Sequence, residues 1–170
     1  KTERNKSFTA DFNINFTTIS NKVTAVPEGV DYIPGAQFSV GGDIATRFQT
    51  GYEIGYFFGY ETAGIFQTQD EIDNAAVVQD GAQPGDLIFK DQNGDGVVNF
   101  NGDLDKTYLG SPIPDFTMGF AFNLKFKGFD LSGSLYAAIG QEIIRNYERQ
   151  QPYANQLGYV VDRWTGPGST

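Results

Sequence analysis

The 170-residue chain carries a net charge of −9 and has no Cys and no His. The acidity argues against nucleic-acid binding, which needs a basic face. Without Cys there is no thiol chemistry, disulfide or Cys-ligated metal, and without His the commonest general base and transition-metal ligand are gone. No run of about 18 apolar residues is present, which excludes a transmembrane helix but leaves a transmembrane strand open.

With 15 Phe, 9 Tyr and 21 Gly against one Met and one Trp, the composition suits β-structure with many turns. The first strand expected is Ser7 to Thr17, where Phe8, Ala10, Phe12, Ile14 and Phe16 alternate with Thr9, Asp11, Asn13, Asn15 and Thr17. Asn21 to Gly35, with two Pro, reads as a loop. Gln37 to Phe66 reads as a less regular strand region: it includes Phe38, Val40, Ile44 and Ala45, then interleaves Gly and aromatics from Gly51 to Tyr60. Nine acids against one base, Lys90, fall between Gln67 and Asp105, so the excess negative charge belongs to one segment. Within it Asp86 to Lys90 reads as a strand.

Two further alternating segments follow. In Asp115 to Lys127, Phe116, Met118, Phe120, Phe122, Leu124 and Phe126 share a face; in Phe129 to Gly140, Phe129, Leu131, Gly133, Leu135, Ala137 and Ile139 do. Only Lys127-Gly128 joins them, a tight hairpin with Gly supplying positive φ. The three alternating segments run 11 to 13 residues. Strands of globular domains are usually about 5–6 residues long, whereas a tilted bilayer-crossing strand needs about 9–11. Phe near both ends of the apolar faces also fits the aromatic girdles of membrane barrels. In such barrels short turns face the periplasm. Asp115–Lys127 then runs inward, Phe129–Gly140 runs outward, and the acidic segment lies outside the cell. Gln141 to Gln151 is the one stretch with a helical pattern.

The strongest chemical motif is Asp91-Gln92-Asn93-Gly94-Asp95-Gly96-Val97-Val98-Asn99. Asp91, Asn93 and Asp95 stand at positions 1, 3 and 5 of a calcium loop, Gly96 at the sharp turn, the Val97 carbonyl at position 7 and Asn99 at position 9. Position 12 is Gly102 rather than an acid, so Asp103 or Asp105 is left to complete the set if the loop bulges. No helix clearly precedes Asp91, which argues against a complete EF-hand. The expectation is a structural Ca2+ ion in an extracellular, weakly binding loop; the bland reading is an acidic turn without metal.

Gly51 to Gln67 resembles the stretch GYPIGSFYGYxTDGIFQ of the SusC/RagA family of TonB-dependent outer-membrane transporters. Ala82 to Asp86 and Phe89 to Gly96 are similar to that family's AxPGDIKFKDxNGDG, Gly110 to Phe116 to its GNPxPDF, and Asp162-Arg163-Trp164-Thr165 to its NRWT. The motifs keep the family's order over most of the chain. The cation-loop region is about three residues longer than the family's usual one, which aligns the family's final acid with Asp105. The resemblance implies an all-β antiparallel segment, about four strands of the C-terminal part of a larger transmembrane barrel of about 22 strands. Residues 1–170 would all belong to that barrel domain, 67–114 forming an extracellular acidic loop and 141–170 a second one. It further implies a bacterial outer membrane, no enzyme activity, and import of large nutrients such as glycans, oligosaccharides or peptides. The implied partners are a SusD-like surface lipoprotein, the remainder of the barrel, membrane lipid, and TonB through parts absent from this chain.

Two other function classes compete. A secreted calcium-binding β-domain that recognises glycans would use the same loop with aromatics such as Tyr153, Tyr159 and Trp164, although such aromatics are more often loop anchors. A hydrolase would need paired carboxylates, and nothing in the pattern fixes Glu142 and Glu148 at one site; a serine nucleophile lacks a His partner.

Overall fold

The structure, a computed structural model, describes residues 8–37, 44–145 and 155–169. Three long strands form one antiparallel sheet: β1 (Thr9–Thr18), β8 (Phe116–Phe126) and β9 (Phe129–Ile139), in the order β1-β8-β9. Thr9 stands opposite Lys125 and Thr18 opposite Phe116. Phe116 in turn stands opposite Ile139, and Phe126 opposite Phe129. Because side chains alternate, a slip of one residue would set apolar groups against polar ones. The observed register avoids this throughout. Phe12, Phe122 and Gly133 form one row, Ile14, Phe120 and Leu135 the next, and Phe16, Met118 and Ala137 the next. Between them lie rows such as Asp11, Asn123 and Ser132. The three stripes expected from the sequence therefore share one face.

The hairpin between β8 and β9 turns on Lys127 (φ 49°) and Gly128 (φ 86°). Positive φ at both central residues is the turn whose twist matches the flanking strands. Lys127 is the only non-glycine at positive φ among the described residues. At the other end the ladder runs on through Ile19 N–H to Asp115 C=O and Asp115 N–H to Ile139 C=O, each 2.9 Å.

The chain between β1 and β8 folds on itself as a separate body. The irregular region expected over 37–66 does not join the long sheet. Its described part breaks into β3 (Thr46–Phe48), β4 (Tyr56–Tyr60) and β5 (Thr62–Ile65), while 38–43, with Phe38 and Val40, lie outside the described residues. With β2 (Ile33–Pro34), β6 (Leu87–Phe89) and β7 (Lys106–Gly110) these build two small sheets, β2-β3-β4-β7 and β5-β6. A single helical turn, α1 (Gln69–Asp73), starts at Thr68, whose side chain accepts from the Glu71 amide as an N-cap. The exposed edge of β6 is covered by a side chain. The Gln79 amide donates to Leu87 C=O (2.8 Å) and accepts from Phe89 N–H (3.2 Å), imitating a neighbouring strand.

The buried apolar side chains of the described residues, Tyr56, Phe66 and Val98, all lie in this loop body. Tyr56 stacks on Tyr52 (4.7 Å between centroids) and Tyr108 (5.5 Å) and donates its hydroxyl to Gln49 at 2.6 Å. Tyr60, Phe89 and Phe100 pack mutually at 5.4–5.6 Å, tying the two small sheets together. Residues 141–145 are not helical, and the rest of the helical pattern expected over 141–151 falls outside the described residues.

Candidate functional site

Two features of the molecule carry chemistry: the acidic loop over 91–105 and the apolar face of the long sheet. In the loop most of the Asp and Asn side-chain oxygens bind backbone amides, while Asp95 also accepts from the Asn93 side-chain amide at 3.0 Å. Asp91 accepts from Gly94 N–H at 2.7 Å and Gly96 N–H at 2.8 Å. Asn93 accepts from Asp95 N–H (2.9 Å), Asp95 from Val97 N–H (2.9 Å), and Asn99 from Asn101 N–H (2.8 Å). These are Asx turns in series, the local habit of Asp and Asn in tight loops. The Gly96 amide, helped by Gly94, holds the Asp91 carboxyl below its ordinary value.

Asp103 and Asp105 take different parts. Asp105 is fully buried and turns back into the loop, accepting from Gln92 N–H at 3.2 Å and Asn99 N–H at 2.6 Å. Asp103 turns away to Arg47 (3.0 Å) and Lys106 (3.1 Å). Burial pushes the Asp103 carboxyl up, and hydrogen bonds from Arg47 and Lys106 more than offset this, so it lies below the usual carboxylate range. Asp105, not Asp103, closes the loop.

The oxygens thus stand in calcium-loop order, and an all-oxygen set is what a hard cation takes. Each engaged carboxylate oxygen also keeps a further lone pair. The acids are not drawn into one cluster, however: no group of three suited to holding an ion occurs among the described residues. Asp91, Asn93, Asp95, Asn99 and Asp105 lie on one loop tied by its own amides; Val97 contributes its N–H to Asp95 and forms a parallel bridge with Val78.

Sequence reasoning missed Arg47. Its guanidinium lies 3.8 Å from the Tyr32 ring centroid and 3.5 Å from that of Phe58 while pairing with Asp103, and so joins Tyr32 (just before β2), β3 and β4 to the loop. One signal was available: Arg47 is the only base between Lys22 and Lys90, in an aromatic-rich stretch. Glu61, which takes Lys90 and the Gln92 amide, was missed as well. Of the aromatics considered for sugar contact, Trp164 donates its indole N–H to Gln67 at 3.2 Å, and Tyr159 lies under Arg145 at 4.3 Å. Tyr153 is outside the described residues, as is Glu148, so the carboxylate pair with Glu142 has no geometry.

The apolar face of the long sheet is not covered by the described residues. Phe12 is 63% exposed, Ile14 70% and Leu135 65%. Phe120 and Phe122 on the central strand are half-buried among these neighbours, yet the aligned rows still expose more than scattered surface apolar residues and mark a face built for an apolar neighbour. No helix of the described residues is long and apolar enough to cross a membrane, which says nothing of strands.

No family model matches the chain. Among curated proteins, the TonB-dependent receptor P3 of Formosa agariphila is 32% identical over 168 residues, covering 95% of this chain and 16% of that protein. The TonB-dependent receptor P26 of the same organism is 32% identical over 146 residues, covering 84% of this chain and 14% of that protein. The TonB-dependent receptor SusC of Bacteroides thetaiotaomicron is 27% identical over 147 residues, covering 84% of this chain and 13% of that protein. The chain therefore spans only 13–16% of the length of these curated relatives. Antiparallel long strands with tight-turn connection, one apolar face and the ordered motifs agree with these similarities: by sequence the chain belongs with the SusC-type TonB-dependent receptors and corresponds to a segment of them.

Proposed function

We propose that this chain forms part of the wall and an extracellular loop of a TonB-dependent importer in a bacterial outer membrane. The carrying observation is the register that lines up three apolar stripes on one exposed face while the opposite face is mostly polar or small. In lipid every backbone group must be paired, so the free edges of β1 and β9 would be closed by further strands of the same barrel. The polar rows, including Asn15, Asn123 and Ser132, would then line the lumen. Large nutrients (glycans, oligosaccharides or peptides) are the proposed cargo, with a SusD-like lipoprotein outside and TonB acting through other parts of the receptor. These assignments rest on the resemblance to SusC-type receptors rather than on residues of this chain.

The test places Arg on each face at mid-strand. Phe120→Arg puts a charge at the middle of the apolar face, where the bilayer midplane charges about 2–4 kcal/mol. Asn123→Arg puts the same charge on the polar face. Loss of heat-modifiable, outer-membrane-inserted receptor with the first and retention with the second supports the reading. Equal insertion of both variants contradicts it. A secreted calcium-binding domain predicts the reverse behaviour towards detergent: a chain that stays dispersed without it.

We further propose that the 91–105 loop takes a structural calcium ion, held by Asp91, Asn93, Asp95, the Val97 carbonyl, Asn99 and Asp105. Support comes from the oxygen order and from Asp105 closing the loop. Bound calcium would offset repulsion among the acids. Millimolar calcium is expected to slow proteolysis within 91–105 in the inserted receptor; unchanged cleavage with and without calcium removes the proposal.

A further inference from the structure

The segment 155–169 lies far along the chain from the start of the 67–114 acidic loop, yet three of its contacts meet there, on Gln67 and Gly85. Trp164 donates its indole N–H to the Gln67 side-chain oxygen at 3.2 Å. The same oxygen accepts from Gly168 N–H at 2.9 Å. The third contact is with Gly85. A Cβ built on Gly85 would stand 2.7 Å from Trp164 Cε3 and 2.9 Å from Cζ3, nearer than atoms pack, and Gly85 is also held at φ +100°. Only glycine fits beneath that indole without displacing it.

Each partner is anchored on its own side. Gly85 N–H donates to Phe66 C=O at 2.7 Å, and Phe66 N–H donates to Asp86 C=O at 2.9 Å, so Gly85 prolongs the β5–β6 ladder. Gln67 N–H donates to the Glu71 carboxylate at 2.6 Å, which fixes Gln67 between β5 and α1. In the other segment Thr165 N–H donates to Ser169 Oγ at 2.9 Å, and Ser169 Oγ donates to Gly166 C=O at 2.7 Å. That small turn presents Gly168 N–H to Gln67.

From this arrangement we infer that Trp164 is the pin of a clasp that makes the acidic loop and the 155–169 segment open and close together. The indole and Gly168 converge on one side-chain oxygen, and the indole fills the space left by a glycine. Loss of the pin loosens both sides at once: Gln67 loses the indole donor and keeps Gly168 N–H, and Gly85 loses its cover. Trp164 is thus a positioning residue that acts through Gln67 on the geometry of the loop. The clasp uses the extracellular placement proposed above only for its consequence, namely that a partner seated on either segment is felt by the other.

Hydrogen exchange on the full-length receptor in detergent tests the clasp, with wild type compared to Trp164→Ala, Trp164→Phe and Gly85→Ala. Trp164→Ala is expected to raise exchange about tenfold in 66–86 and 155–169 together. Trp164→Phe, which keeps a ring and loses the N–H, is expected to raise both by a smaller factor. Gly85→Ala is expected to act like Trp164→Ala in 155–169. A rise confined to 155–169, or no rise, overturns the clasp. Amides of β8 serve as the control: their protection reports the barrel assignment, so failure of that reading shows in β8 and failure of the clasp in 66–86 with β8 intact.

Discussion

The long sheet and the loop body spend their Phe and Tyr in opposite ways. In β1, β8 and β9 the aromatics form one face that none of the other described residues covers, and the strands are held by an unbroken ladder. In the loop body strands run only 2 to 5 residues and the rings are stacked inward on Tyr56 and Tyr60, with polar groups such as Asp105 and Arg47 tied among them. The first region leaves its apolar face open; the second carries its own small core. Aromatic content alone does not separate the two, since both are rich in Phe and Tyr. Pattern does: period two in the first, none in the second.

The two regions are therefore expected to fail separately. The largest effect in the loop is expected from Tyr56→Ala, which removes a ring that is 1% exposed and costs about 3–5 kcal/mol locally. Cleavage by protease should appear between 45 and 110 while the β8–β9 hairpin stays protected; loss of both would show that the regions stand or fall as one. Asp105→Ala comes next. It strands the Gln92 and Asn99 amides without their acceptor, an expected cost of about 1–3 kcal/mol, and Asp105→Asn, which keeps one acceptor oxygen, should cost less. Both are read by denaturant midpoints of the loop followed by exchange or proteolysis.

The smallest effect is that of acid. Asp91 and Asp103 both have carboxyls held below their ordinary value, so each favours the folded loop once ionised. That contribution is present above the unfolded-chain value of about 4 and is lost as pH falls through the lower folded value. Loop protection is expected to weaken below about pH 4, with Asp103→Asn abolishing part of the pH dependence. A loop whose protection rises on acidification would contradict the assigned partners.

The sequence made the sheet legible and the loop only partly so. Alternation in Ser7–Thr17, Asp115–Lys127 and Phe129–Gly140 directly reports which side chains share a face, and the Lys127-Gly128 turn fixes the β8–β9 register locally. That β1 pairs with β8 is a contact across about a hundred residues, and pattern is silent on it. The order Asp91, Asn93, Asp95 was readable because Asx turns are local. Spacing alone left Asp103 and Asp105 open and only the resemblance pointed to Asp105, because where Asp103 turns depends on Arg47 arriving from β3 as well as on nearby Lys106. Gln79 as a false strand edge and Gln67 as the acceptor for Trp164 escape for the same reason: a lone Gln has no pattern until the fold supplies its partner.

The central claim is that the Phe-rich face of the long sheet meets lipid and its opposite face meets water. The chain has no Cys, so single Cys labels at Ile14 and Leu135 on one face, and at Asn13 and Ser134 on the other, are unambiguous within it. Spin labels at these sites in the membrane-inserted receptor should be relaxed by oxygen, which concentrates in the bilayer, at Ile14 and Leu135, and by a water-soluble nickel chelate at Asn13 and Ser134. Equal access of the chelate to all four positions would contradict the account.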